Sequence, residues 1–365
     1  MTTRFDAPYV QWARTRTPAR FDLAGSAVLP CSAEDLHTSA RDIEVTGEHP
    51  AGFTPLVRAI GARYGLPADH VTTGHGTTGA NFLVCAALLE AGDEVLVEQP
   101  GYDALVGAPQ LLGAVTTPFV REFAAGFQID PADVRRAVSA RTRLIVVTNP
   151  HNPSGVMATP EAIDEIGRIA DHHGAHVLVD EVYMDAAAPT RTPGAVHTAA
   201  ARGDIFISTN SLSKSYGLAA LRCGWILSSP EVADRLRRAR AIVEGSASLV
   251  TERIATRAFH DVDALLARSR VLLDANRAIL GEFLLSRTEL EWVDPGGGSI
   301  VFPRMRAVPD SRRFVERLLT VRHTAVVPGY LFGAPAHFRL GMGGGTEALR
   351  QGLAAIGAAL SARDW

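Results

Sequence analysis

Between residues 77 and 227 short apolar runs alternate with segments of helical spacing, and few architectures accept that order. Helical stretches are read over Thr77–Glu90, Tyr102–Leu112 and Pro160–His173. Strands are read over Glu94–Glu98, Arg143–Thr148, His176–Asp180, Asp204–Ser208 and Cys223–Leu227. A strand that is apolar along its length needs cover on both faces, so the pattern predicts an α/β fold with a mainly parallel sheet between helical layers. Upstream, Pro55–Tyr64 has helical spacing and is closed by Gly65 and Pro67. Beyond about Glu231 long Arg/Ala/Leu helices dominate, and strands Ser299–Pro303 and His337–Leu340 predict a smaller α+β lobe. The Pro- and Arg-rich stretch to about Leu36 reads as an extended arm. The expected division is an arm over 1–38 packing with the small domain, a large domain over 39–255 and a small domain over 256–365. At 365 residues, with 47% hydrophobic and 21% charged, the chain can bury a sizeable core.

Of 36 basic residues only Lys214 is a lysine. A composition bias toward arginine explains the excess and can spare a lysine by chance. It also spares one wherever arginine cannot substitute. Arginine keeps its proton under protein conditions, whereas a desolvated lysine can lose it and attack a carbonyl.

Other functions are excluded on composition. A net charge of -3 without a basic stripe argues against nucleic acid or an anionic membrane as partner. Cys31, Cys85 and Cys223 are odd in number and widely spaced, so neither a disulfide framework nor a metal site is expected, and a reducing cytoplasm fits. No signal-peptide core opens the sequence and no apolar run is long enough to span a bilayer.

In open parallel sheets ligands sit beyond the carboxyl ends of strands. Asp180 ends HVLVD with Tyr183 three residues on, Asn152 lies within RLIVVTNPHNPSG, and Lys214 ends DIFISTNSLSK. Each has an ordinary reading: an N-cap, a core tyrosine, a turn asparagine, a surface lysine. Together, with the sole lysine among them, they favour a site. GHGTTGANFLVCAALL sets Gly76, Thr77 and Thr78 at a helix start, where N–H groups and hydroxyls can hold a phosphate. Capping by Thr77 is the alternative. A phosphate site, a Schiff-base lysine and a strand-end aspartate together describe pyridoxal 5'-phosphate.

NPHNPSG, DEVY, SLSKSYGLAALRCGW and FRLGMG occur in an order and spacing that resembles fold-type I pyridoxal-phosphate aminotransferases of class I/II, along nearly the whole chain. The resemblance implies a seven-stranded, mainly parallel sheet flanked by helices, with a smaller α+β domain. It implies that Lys214 forms the Schiff base and shuttles the α-proton, that Asp180 pairs with the ring nitrogen, and that Tyr183 and Asn152 hydrogen-bond the phenolic oxygen. Tyr102 would stack on the ring. Ser211 and Arg222 would hold the phosphate with Gly76, Thr77 and Thr78. Arg339 would clamp the substrate carboxylate with Asn152, and Gly25 would line the pocket. A homodimer with shared active sites is implied as well. One position departs from the family. Gly47, in EVTGEHPAGF, stands where a tyrosine usually reaches the partner's phosphate. The segment Gly47–Phe53, with Gly52 and an exposed-looking Phe53, is expected to cross to the partner, and Glu48, His49 or Phe53 to reshape that wall.

The expected activity is ping-pong transfer of an amino group from an amino acid to a 2-oxo acid. The same cofactor also serves lyases and cyclases, and PHNPSG and VVPGYLFG resemble the capreomycidine-synthase branch, which cyclises an arginine derivative. A non-catalytic sensor domain of a transcription regulator is a remote alternative. Such proteins carry an added DNA-binding domain, for which roughly 40 residues ahead of the large domain are too few.

Overall fold

The computed structural model describes residues 6–39, 43, 46–47, 52–187 and 198–363. Seven strands form one sheet: β1 (Val71–His75), β2 (Glu94–Gln99), β3 (Val115–Val120), β4 (Thr142–Thr148), β5 (His176–Asp180), β6 (Phe206–Ser211) and β7 (Cys223–Leu227). Their order across the sheet is β1-β7-β6-β5-β4-β2-β3. β7 runs antiparallel to β1 and β6, and every other pair is parallel.

The continuous apolar runs are explained by two separate cores. Ile145, Val147, Val177 and Val179 pack on one face with Ile163 and Ile166 of helix Pro160–His172. Leu144, Val146 and Leu178 pack on the other with Leu83 and Val84 of helix Gly76–Leu88. Alternate side chains thus serve opposite helical layers, as a doubly covered sheet requires.

The sequence reading left β1 and β3 unmarked. β1 (VTTGH) is rich in polar residues. β3 carries Pro118, which a strand tolerates at a sheet edge, and β3 is an edge strand. β6 begins two residues later than read and continues through Thr209, Asn210 and Ser211, all buried. The arm is also not wholly extended. Pro8–Thr15 is a helix with proline in its first turn, and Tyr9 and Trp12 pack beside Phe302 and Phe332. Tertiary packing of two aromatic side chains supplies what the short local sequence does not. The arm then pairs Phe21–Asp22 in parallel with Thr324–Ala325.

Towards the C-terminus Ile300–Val301, Phe338–Gly341 and Val327–Pro328 form an antiparallel sheet. Helices Val262–Leu285, Arg312–Arg322 and Thr346–Ala362 close a core around Leu273, Phe314 and Ile356. Residue 255 lies inside helix Leu249–His260, and Ala255, Phe259 and Leu266 share a cluster with Trp225 beneath the large sheet.

One buried ion pair braces the strand ends. Arg121 Nη1 donates to Glu98 Oε2 at 2.9 Å, and both side chains are fully buried. Glu98 Oε1 accepts the backbone N–H of Thr148 at 2.8 Å. Thr148 Oγ1 in turn accepts the N–H of Asn152 at 2.9 Å. Burial pushes the Glu98 carboxyl up, and Arg121 and Thr148 oppose that push. Removing one partner leaves a charge that water cannot reach. Arg121→Met is therefore expected to lower unfolding free energy by about 3–5 kcal/mol, read from urea midpoints. A loss below about 1 kcal/mol would show the pair to be dispensable.

Candidate active site

The parallel register sets Thr148, Asp180 and Thr209 side by side on β4, β5 and β6. Asp180 is buried, and its carboxylate accepts from Asn81 Nδ2 at 2.8 Å and from the Val182 N–H at 3.1 Å. Thr209 Oγ1 donates to Asn81 Oδ1 at 2.6 Å, which fixes the amide so that its nitrogen faces Asp180. Burial raises the Asp180 carboxyl to about 6, against these two donors and the charge of Lys214. Asn81 was not singled out from sequence. It lies one helical turn after Thr77, on the same face, and that spacing is the signal that could have found it.

Lys214 follows β6 and is half-buried, with Nζ donating to Ser26 Oγ at 3.1 Å. Burial lowers its ammonium pKa, Arg339 and Arg222 lower it further, and Tyr9 and Asp180 oppose them. Tyr183 is buried after β5, and burial lifts its phenol to about 12. Beside Ser26, a Cβ on Gly25 would meet nothing within 4 Å, so the chain leaves open space there.

Helix Gly76–Leu88 begins without a side-chain cap. Thr77 is not the cap that one sequence reading allowed; its hydroxyl donates to Ser211 Oγ at 2.8 Å. Ser211 Oγ also hydrogen-bonds Ser213 Oγ. Arg222 takes a left-handed backbone, φ 50°, and turns its guanidinium beneath the first turn, with Nη2 3.5 Å from the His75 carbonyl. A Cβ on Gly76 would lie 2.2 Å from Arg222 Nη2, and one on Gly224 would lie 2.5 Å from the carbonyl carbon of Gly76. Two glycines therefore let β7, the helix start and Arg222 meet. Free N–H groups, hydroxyls and a cation converge there, as an anion requires. Tyr102 leans edge-on against Tyr9, with ring centroids 5.6 Å apart.

Arg339 is fully buried. Nη1 donates to Asn152 Oδ1 at 2.8 Å, and Nη2 donates to Tyr9 OH at 2.7 Å and to Ala24 O at 3.1 Å. Its Nε is buried without a protein partner. Tyr9, on the arm helix, was missed because nothing local marks it. Phe53 does not stand exposed: its N–H donates to Glu252 Oε2 at 2.6 Å, and Arg253 lies over its ring. A Cβ on Gly52 would sit 3.1 Å from Thr73 Oγ1 of the same chain. Glu48 and His49 fall outside the described residues.

The residues present suit pyridoxal phosphate: an anion pocket with no competing carboxylate among the described residues, a buried carboxylate for a protonated ring nitrogen, and an amine of lowered proton affinity. Comparison with known proteins agrees. The family model for aminotransferase class I and II matches residues 39–356. Capreomycidine synthase of Streptomyces vinaceus is 33% identical over 365 residues, covering 96% of this chain and 92% of that one. A PLP-dependent aminotransferase from Streptococcus suis superposes with a TM-score of 0.90 at 26% identity, over 100% of this chain and 99% of that one. The PLP-dependent cyclase OrfR superposes with a TM-score of 0.87 at 30% identity, over 100% and 99% of the two chains. The chain therefore belongs to the class I and II aminotransferases, a family of enzymes that use pyridoxal 5'-phosphate.

Proposed function

We propose that this enzyme moves an amino group from an amino acid to a 2-oxo acid. The observation that carries the reading is the convergence on one site of Lys214, Asp180 and the Arg339–Asn152 pair. When bound, pyridoxal phosphate supplies an aldehyde that condenses with amines and a ring that accepts the electrons of a broken C–H bond. Lys214 Nζ, its proton affinity lowered, takes the α-proton and returns it on the other side of the transfer. Asp180 holds a proton on the ring nitrogen. Asn152 gives its oxygen to Arg339, which leaves its Nδ2 to donate, with Tyr183, to the phenolic oxygen. Gly76, Thr77, Thr78, Ser211 and Arg222 would hold the phosphate, and Tyr102 would stack on the ring. Arg339 orients the substrate carboxylate, and the open space at Gly25 admits the substrate.

A homodimer with shared active sites belongs to the same reading. An apolar hollow of about 510 Å³ opens beside the Lys214 loop, lined by Val28, Leu36, Leu218, Leu221 and Ile254, and a partner surface would cover it. Three free cysteines support a cytoplasmic location. No helix among the described residues is long and apolar enough to cross a membrane.

The likeness to capreomycidine synthase and to OrfR supports a second reading, cyclisation of an amino acid on the same cofactor. The two part in one measurement. Transamination converts a donor to its 2-oxo acid in stoichiometric amount and leaves the amino group on the enzyme until a second 2-oxo acid removes it. A cyclase releases a ring-closed amino acid and needs no 2-oxo acid. A panel of amino donors including arginine derivatives, followed by mass spectrometry, decides between them.

Lys214→Arg is expected to abolish the half-reaction while circular dichroism stays native, because arginine keeps charge but cannot lose its proton. Turnover near wild type would remove Lys214 from this role. Asp180→Asn is expected to retain cofactor and slow single turnover about a thousandfold, a loss of roughly 4 kcal/mol in transition-state stabilisation. A change below about tenfold would contradict the assignment. Light scattering at low concentration, paired with activity, tests the assembly; a fully active monomer would overturn it.

A further inference from the structure

Both two-pronged approaches to a guanidinium use an Nη2 hydrogen: end-on through Nη1 and Nη2, side-on through Nε and Nη2. In Arg339 both Nη2 hydrogens are engaged, by Tyr9 OH and by Ala24 O. The second acceptor cannot yield. Ala24 is backbone, tied on its N-terminal side by Leu23 N–H to Ala325 O at 2.9 Å and by Gly341 N–H to Leu23 O at 2.7 Å. The first is a side chain. Tyr9 is docked by Asp103, whose Oδ2 accepts the Tyr9 N–H at 2.7 Å, and its ring sits between Tyr102 and Phe332. The arm helix therefore keeps its place, and because the phenol oxygen lies on the ring axis, release of Arg339 takes a pivot of the whole ring about χ1.

We propose that Tyr9 is a further residue that sets carboxylate affinity: its hydroxyl holds the Arg339 hydrogen that a substrate α-carboxylate needs, so the two compete for one donor. This rests on Arg339 being the carboxylate receptor. A full negative charge displaces a neutral phenol. Tyr9 thus lowers the affinity of the site for any ligand that must displace it, by the share of the time that it holds the donor.

Charge on Tyr9 reverses the balance. The groups facing it are Arg339, Lys214, Asp103, Tyr102 and Tyr183. Burial raises the Tyr9 pKa, but Arg339 and Lys214 outweigh it and hold the phenol below its ordinary range. As pH rises through that value a phenolate forms on Arg339, and carboxylate binding weakens. By linkage, a bound carboxylate must push Tyr9 ionisation to higher pH.

The test uses holoenzyme and 2-methylalanine, an amino acid with no α-hydrogen to lose. Binding is followed by cofactor absorbance, and Tyr9 by tyrosinate absorbance of wild type minus Tyr9→Phe. The phenyl ring keeps the contacts with Tyr102, Phe332 and Arg339. Tyr9→Phe is expected to bind 2-methylalanine about three- to tenfold more tightly at neutral pH. It is also expected to show a smaller loss of affinity on the alkaline side. Saturating 2-methylalanine is expected to move the Tyr9 signal to higher pH. Equal or weaker binding by Tyr9→Phe, or a Tyr9 signal that ignores the ligand, overturns the proposal. If Arg339→Gln binds as well as wild type, the receptor reading falls and Tyr9 with it. If Arg339→Gln loses binding while Tyr9→Phe leaves it unchanged, only the role of Tyr9 falls.

Discussion

Thr148, Asp180 and Thr209 form one row across β4, β5 and β6, and the site is suspended from that row. Thr148 receives Glu98 on one side and supports Asn152 on the other. Thr209 orients Asn81, and Asn81 orients Asp180. Two residues beyond Thr209 on the same strand, Ser211 meets Thr77. A slip of one residue would turn each of these side chains to the opposite face. Register here is held by the two apolar cores, whose alternate residues face different helices. Hydrophobic packing far from the chemistry thus decides which oxygen faces which nitrogen.

The charges at this site are held under tension. Asp180 and Arg339 are buried and Lys214 is half-buried, and burial opposes ionisation of both the carboxyl and the amine. Each charge keeps its form through a few aimed donors or acceptors. An Asp180 whose carboxyl burial raises to about 6 is well matched to a cationic partner that would hold it ionised. Glu181, its neighbour in sequence, shows the structural counterpart. Burial raises it to about 8, and it accepts the Ala199 N–H at 2.7 Å, tying the short helix Ala199–Arg202 to the sheet.

The strands best marked in the sequence were those buried on both faces, because continuous Val/Ile/Leu runs have few other uses. His176–Asp180 and Cys223–Leu227 have the bounds that their sequence suggests. β1 and β3 carry threonines, a glycine and a proline, and only their neighbours make strands of them. Within the site, the strand-end residues could be read because topology assigns ligands to strand ends. Asn81 could have been, from its place one turn after Thr77, but Ser26 and Tyr9 could not. Each of these two acts through a partner far along the chain, as Tyr9 does with Arg339, and a single sequence carries no record of such a meeting. The arm helix illustrates the same limit, since its docking residue, Asp103, belongs to another element.

The scarcity of lysine has a consequence for the surface as well as for the site. Aldehydes condense with amines, and on most proteins exposed lysines offer many adventitious places for that reaction. This chain presents arginines instead, which stay protonated and unreactive toward an aldehyde. Apart from a terminal amine, Lys214 is the one amine with which an aldehyde can form a Schiff base. The protein can sit in excess cofactor without Schiff bases forming at random, and selectivity that other enzymes obtain from pocket shape is here reinforced by composition.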